Sequence, residues 1–287
     1  MNIITKKSMA KINLGLDVTG VLPNGYHTIK TIMQTVSLSD SLTFEKRKKP
    51  GIILRTNLPY LPVNEKNIVH KCIRLFFEEF SISGGIFCDI VKHIPVAAGM
   101  AGGSGNAAAA LLALNELYHT GLSEEKLMEL GLKLGADVPY CIKGKTALAE
   151  GIGEILTPLP SPPFAKILIV KPPFGVSTAE VYKNLKLGPE TQHPDIDSCI
   201  EALNEGSVKK LATNMQNILE NVTVELHPEI GQIKEKMMEL GADGSLMSGS
   251  GPTVFGIFEN EQAAKLAFDA FKSMERYQKN TYLCDFA

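Results

Sequence analysis

The chain has 287 residues, 44% of them hydrophobic and 21% charged, with a formal net charge of −2. That length admits one large domain or two modest ones, and the apolar fraction is enough for a sizeable core. The near-neutral balance lacks the basic excess of a protein that grips nucleic acid by its phosphates.

In chain order, residues 10–17 read as a strand. Ile12, Leu14 and Leu16 alternate with Lys11, Asn13 and Gly15, which gives one apolar face and one carrying a lysine and an amide. Taken alone, Lys11 reads as a surface side chain on an edge strand. Pro23-Asn24-Gly25 then marks a turn that presents Tyr26 and His27. Residues 31–38 and 41–45 read as strands separated by a Ser39-Asp40 turn, and 52–55 as another strand. The basic run Lys46-Arg47-Lys48-Lys49, followed by Pro50-Gly51, reads as a solvated loop. Residues 67–80 carry apolar side chains at Ile68, Val69, Cys72, Ile73, Leu75 and Phe76, a helical spacing. Gly84-Gly85 opens a strand at 86–91.

A glycine-rich loop follows at 97–105, then a helix from about Ser104 to Tyr118 and a second helix at 123–134 with Ser123 as its N-cap. Pro158-Leu159-Pro160-Ser161-Pro162-Pro163 can continue neither a helix nor a central strand, so it marks the division between domains at 1–157 and 158–287. Beyond it the pattern gives a strand at 165–170, several short helices and a helix at 228–240. Strand-like runs at 245–247 and 253–258, a helix at 262–273 and a last strand at 282–285 complete the chain. This mixture predicts an α+β fold.

The five cysteines form no C-x-x-C pair, which favours a reducing compartment. The six histidines show no zinc-ligand spacing. Residues 1–16 lack the apolar core and cleavage site of a signal peptide. The longest apolar stretch, 107–114, is far short of the ~20 residues that cross a bilayer. A cytoplasmic location with no membrane partner is the expectation.

Three segments carry chemistry. The first is the run Pro95, Val96, Ala97, Ala98, Gly99, Met100, Ala101, Gly102, Gly103, Ser104 and Gly105, directly before a helix. Glycines let backbone N–H groups approach a ligand, and a helix N-terminus offers unpaired donors and a positive dipole end, a phosphate-binding combination. A plain glycine-rich turn before a buried helix is the other reading. Neither a Walker A loop nor a dinucleotide fingerprint fits: Gly144-Lys145-Thr146 ends like the former, but Pro139 stands where its first glycine is required. The second segment is 10–17 with Tyr26 and His27. The third is Gly135-Ala136-Asp137-Val138-Pro139, where a carboxylate sits against an apolar run. Asp137 is either a capping or turn residue or a buried acid with a partner. Met247-Ser248-Gly249-Ser250-Gly251-Pro252-Thr253 adds a second small polar loop.

Taken together, the glycine loop, the Ala10-Lys11-Ile12-Asn13 run with Asn24 to His27, Gly135 to Pro139, Lys171-Pro172-Pro173 and Met247 to Phe255 resemble the motifs of the GHMP kinases, in order and over nearly the whole chain. The resemblance implies a two-lobed fold, with an N-terminal lobe like ribosomal S5 domain 2 and a ferredoxin-like C-terminal lobe. It implies transfer of the γ-phosphoryl group of ATP, with Mg²⁺, to the 2-hydroxyl of 4-diphosphocytidyl-2-C-methyl-D-erythritol, a step of non-mevalonate isoprenoid synthesis. By position, Asp137 would be the general base. Lys11 would hold Asp137 ionised and offset charge on the moving phosphoryl group. The 95–105 loop would take the triphosphate, with Mg²⁺ near Ser104. Tyr26, His27 and Tyr182 would read the cytosine, with Asn13 and Thr178 as polar neighbours. The implied partners are small molecules, with no nucleic acid, and the implied state is a monomer or homodimer. A GHMP kinase for another alcohol, and a catalytically silent ligand-binding relative, are the alternatives. Gly105 stands where the family loop carries a second serine. A lost hydroxyl contact to a charged oxygen is worth ~1.5–3 kcal/mol, so weaker ATP binding or slower turnover is expected, without loss of the activity.

Overall fold

A computed structural model describes residues 2–23 and 25–287. Asn24, in the middle of the expected Pro-Asn-Gly turn, lies outside the described residues. Two strands are much longer than their alternation suggests: β1 (Ile3–Val21) and β2 (His27–Arg47), which pair with each other. β2 runs without interruption through Ser39 and Asp40, where a turn was expected. Asp40 is fully buried, and its Oδ1 accepts the backbone N–H groups of His93 (2.7 Å) and Ile94 (2.8 Å). A polar side chain satisfied inside the protein does not need the solvent that a turn supplies.

Both strands serve two compact units. The first comprises the chain up to Ala10, Ser39–Val96 and Ala101–Gly144; the second comprises Lys11–Leu38, Ala97–Met100 and Lys145–Ala287. The units are interleaved along the chain, and the proline-rich stretch falls inside the second.

In the first unit, the C-terminal half of β2 pairs antiparallel with β4 (Gly85–Val91), which pairs in parallel with β3 (Gly51–Thr56). Helix α1 (Ile68–Glu79) buries Val69, Cys72, Ile73 and Phe76, and Asn67 caps it by accepting the Val69 N–H at 2.9 Å. Helix α2 (Gly102–Tyr118) packs against α1 and against α4 (Asp137–Lys143), which also contacts α3 (Glu124–Leu132). Helix α2 starts two residues before the expected Ser104. The Gly105 N–H already bonds the Ala101 carbonyl at 2.7 Å, so the glycines form the first helical turn and not a loop. Helix α4 was not anticipated. Its Pro139 is the third helical residue, where a missing N–H has no intrahelical acceptor to leave unpaired. Leu42, Phe44, Ile86 and Cys88 face Phe76 and the alanines at 107–110 in the core.

In the second unit, the N-terminal half of β2 pairs antiparallel with β5 (Thr146–Glu150), and β5 with β6 (Ile155–Pro158). Neither short strand was anticipated. Strands β7 (Lys166–Val170), β8 (Gly244–Met247), β9 (Val254–Phe258) and β10 (Thr281–Asp285) form an antiparallel sheet in the order β10-β7-β9-β8. Helices α5 (Thr178–Asn184), α6 (Ile196–Asn204), α7 (Val208–Asn214), α8 (Glu220–Leu226) and α9 (Glu229–Glu239) connect β7 to β8, and α10 (Glu261–Ser273) connects β9 to β10. Helices α9 and α10 pack on this sheet. Strand, helix, strand, strand, helix, strand with this order is the expected ferredoxin-like arrangement. Leu168, Val170, Val254 and Phe258 meet Ile233, Met237, Ala267 and Phe271 in its core. Among the described residues, no helix is long and apolar enough to cross a membrane.

Candidate active site

Of the expected phosphate loop, Pro95, Val96 and Ala101 to Gly105 belong to the first unit, and Ala97 to Met100 to the second. Ala101 is left-handed (φ 53°) and cannot cap α2, and no side chain hydrogen-bonds at this N-cap. Left-handed alanine costs ~1–2 kcal/mol, so packing holds it there. The N–H groups of Gly102, Gly103 and Ser104 precede the first intrahelical bond, and Gly103 is exposed. This is an open set of donors at the positive end of a 17-residue helix, which fits an anionic phosphate. A Cβ on Gly102 would lie 3.0 Å from Ile94 Cγ2 and 3.3 Å from Lys92 Nζ, tighter than ordinary contact.

Beneath this helix start lies a buried polar network that sequence reasoning missed. Lys92 and Asp40 form an ion pair with side-chain exposures of 6% and 0%. Lys92 Nζ also donates to Asn106 Oδ1 at 3.0 Å and to the Gly102 carbonyl at 3.5 Å. Asn106 Nδ2 donates to Asp40 Oδ2 (2.8 Å) and Ser8 Oγ (3.0 Å). Every charge therefore has partners, and the cluster ties the first turns of α2 to β1, β2 and the segment after β4. The sequence signal was slight: a lysine directly after the apolar pair Ile90-Val91.

Gly105 belongs to this interior and not to the open end of the helix. A Cβ there would meet Ser8 Oγ at 2.6 Å and the Met9 carbonyl at 3.2 Å. The expected penalty in ATP binding is therefore corrected, because the side chain absent at 105 points at β1, where Ser8 fills the space. Gly105→Ser should lower stability by ~1–3 kcal/mol through overpacking. The same change in a Ser8→Ala background should cost less than half as much, read by urea unfolding. Tighter ATP binding without loss of stability in Gly105→Ser would restore the original view.

Asp137, also in the first unit, is the first residue of α4 and is half-buried, with Val138, Pro139 and Tyr140 buried behind it. Those three side chains anchor the helix start in the core and hold the carboxylate at its positive end.

In the second unit, Lys11 (5% exposed) and Asn13 (1%) are buried, so the face of β1 read as solvated is enclosed. Lys11 Nζ donates to Asn13 Oδ1 at 2.7 Å, and Asn13 Nδ2 to Thr31 Oγ1 at 2.9 Å. Gly99 has φ 68°, and a Cβ on it would fall 2.3 Å from the Ser248 carbonyl, so only glycine fits. Ser248 Oγ donates to the Gly99 carbonyl (3.0 Å) and the Lys11 N–H to that of Met100 (3.2 Å). The loop at 248–251 is itself clamped by the buried Asn217, whose Nδ2 donates to the Met247 and Gly249 carbonyls, each at 2.8 Å. Thr178 and Tyr182 lie one turn apart on α5 and share a face. Thr178 Oγ1 is 2.8 Å from Ser250 Oγ, and the Tyr182 ring centroid is 4.8 Å from that of His27. Tyr26 is 60% exposed. Lys171 Nζ donates to the Phe174 carbonyl at 2.7 Å, fixing the approach to α5, and burial pulls its pKa down. Among the described residues, no three His, Cys, Asp or Glu side chains cluster as metal ligands would.

The family model described as GHMP kinases N terminal domain matches residues 67–145, and that described as GHMP kinases C terminal matches 199–276. The chain belongs to the GHMP kinases. A protein of Lachnoclostridium phytofermentans named 4-diphosphocytidyl-2-C-methyl-D-erythritol kinase is 52% identical to it over 286 residues, covering 100% of this chain and 98% of that one. A protein of the same name from Acetivibrio thermocellus is 48% identical over 96% of this chain and 97% of its own. The chain is thus a small-molecule kinase of the 4-diphosphocytidyl-2-C-methyl-D-erythritol kinase family. A crystal structure of 4-(cytidine 5'-diphospho)-2C-methyl-D-erythritol kinase matches it with a TM-score of 0.83 at 32% identity, over 99% of each chain. A homoserine kinase from Cytophaga hutchinsonii shares the GHMP fold at a TM-score of 0.75, 20% identity and 99% and 94% coverage of the two chains.

Proposed function

We propose that this kinase transfers the γ-phosphoryl group of ATP to the 2-hydroxyl of 4-diphosphocytidyl-2-C-methyl-D-erythritol, within non-mevalonate isoprenoid synthesis in the cytoplasm. The observation that carries this is the 52% identity, across 98–100% of both chains, to a relative bearing that substrate's name. Asp137 takes the proton of the attacking hydroxyl. Lys11, held by Asn13, offsets charge on the group in transfer. The N–H groups of Gly102, Gly103 and Ser104 bind phosphate oxygens. Ser104 Oγ would be a ligand for Mg²⁺ carried in with the nucleotide, and the cation would offset phosphate charge there. His27 and Tyr182, with Tyr26, hold the cytosine by stacking, and Thr178 offers a hydroxyl on the same helix face. The lobes of this proposal are residues 1–157, which carry the nucleotide loop with Tyr26 and His27, and 158–287, which add Thr178 and Tyr182 for the substrate. The partners are small molecules and not nucleic acid, and the enzyme acts as a monomer or homodimer.

A coupled ADP-release assay with Mg·ATP tests the reading. Turnover is expected with the cytidylated substrate and not with mevalonate or homoserine. Turnover with one of the latter would move the chain to another GHMP activity, and binding without turnover would make it a ligand-binding relative. Base stacking is worth ~1–3 kcal/mol, so Tyr182→Ala should raise KM for the cytidylated substrate roughly 5- to 150-fold. KM for ATP should stay unchanged; an equal rise in both would show that the cytosine is held elsewhere.

A further inference from the structure

We infer that Thr31 is a positioning residue for phosphoryl transfer, acting on Lys11 through Asn13. This rests on the role proposed above for Lys11.

The three side chains form one chain inside the second unit, with Thr31, Asn13 and Lys11 exposed to 0%, 1% and 5%. Thr31 Oγ1 donates to the Gly15 carbonyl at 2.6 Å. A carbonyl only accepts, so the single hydroxyl proton of Thr31 is committed there. Towards Asn13 the hydroxyl can then only accept, at 2.9 Å, and it draws the amide's NH₂ to its side. The amide is planar, so its oxygen faces the other way, onto Lys11 Nζ at 2.7 Å. An ammonium only donates, so the relay has one possible polarity from end to end. Gly15 and Lys11 fix that polarity at its two ends, and Thr31 transmits it. Without the Thr31 hydroxyl, the NH₂ group loses its acceptor, and within this chain of contacts the amide is held at one end only, by Lys11 itself.

Thr31→Val keeps the shape and removes the hydroxyl. Misplacing a catalytic group by about 1 Å can cost ~10²-fold, so kcat in the ADP-release assay should fall roughly 10- to 100-fold. KM for ATP and for the cytidylated substrate should stay within about 3-fold, because Thr31 is fully buried and is not among the ligand-binding residues proposed above. Thr31→Ser restores the hydroxyl and should recover most of kcat. Circular dichroism and thermal unfolding check that each variant is folded. Unchanged kcat in folded Thr31→Val would overturn the inference, as would equal losses in the Val and Ser variants, which would mean packing by the methyl group. Should Thr31→Val fail to fold, Thr31→Ser and Asn13→Asp carry the test: normal kcat in the first and a 10-fold or greater loss in the second support the relay, and any other pairing overturns it. Lys11→Ala in the same assay separates the two levels. Full turnover there removes Lys11 from the chemistry and the inference with it. A dead Lys11→Ala beside an active Thr31→Val removes the inference alone.

Discussion

Asp137→Asn should lower kcat by roughly 10²–10⁴-fold, the usual contribution of a general base. The asparagine keeps the shape and the hydrogen-bonding reach of the carboxylate but cannot take a proton at neutral pH. The side chain sits at the first position of α4, over a buried Val138-Pro139-Tyr140 step, so the helix itself is anchored independently of the charge. Removing an anion from a helix N-terminus costs only ~0.3–1 kcal/mol, so unfolding midpoints should barely move. Affinities for ATP and for the cytidylated substrate, by calorimetry, should also hold. Near-normal turnover would eliminate Asp137 as the base, and a matched loss of binding would recast it as a substrate ligand.

Lys92→Met should strongly destabilise the first unit. It leaves the Asp40 carboxylate fully buried without its cation, and breaking one partner of a buried pair costs ~3–5 kcal/mol. The N–H groups of His93 and Ile94 and the Asn106 amide still reach that carboxylate, which places the loss near the lower end. Lys92 also touches the Gly102 carbonyl and Asn106, so the start of α2 should loosen and KM for ATP should rise. Replacing both partners, Asp40→Asn with Lys92→Met, should recover part of the stability, since no charge is then stranded and the asparagine oxygen still accepts the His93 and Ile94 N–H groups. Urea unfolding of the single and double variants gives the answer. An unchanged midpoint in Lys92→Met would mean that the pair carries no structural weight.

Much of this was legible in the chain because the signals were local. The helical spacing Val69, Cys72, Ile73, Phe76 with Asn67 ahead of it gave α1 almost to the residue, and the four strands and two helices of the ferredoxin-like sheet were all placed. What failed was long-range. Ser39-Asp40 has the chemistry of a turn, and only Lys92 and Asn106, more than 50 residues away, make it the middle of a strand. Lys11 and Asn13 alternate as a solvated face does, yet Thr31 and the loop at Gly99 enclose them. Helix α4 is short and carries a proline, so no periodicity announces it. Gly99, within the expected loop, answers a backbone need: a positive φ and the Ser248 carbonyl leave room for nothing else.

The fit of Ser8 against Gly105 constrains how this sequence can change over time. The Ser8 hydroxyl on β1 occupies the volume that a side chain at position 105 of α2 would need. A descendant that moved the serine from strand to helix in a single step would pass through a crowded intermediate. The accessible route first shortens position 8 to alanine, leaves the space briefly underfilled, and only then enlarges position 105. The reverse route begins at the helix. Substitutions at these two sites, 97 positions apart, should therefore be inherited in a fixed order, and of the two single-segment swaps with a relative carrying alanine at 8 and serine at 105, only the one that brings the two serines together should fail.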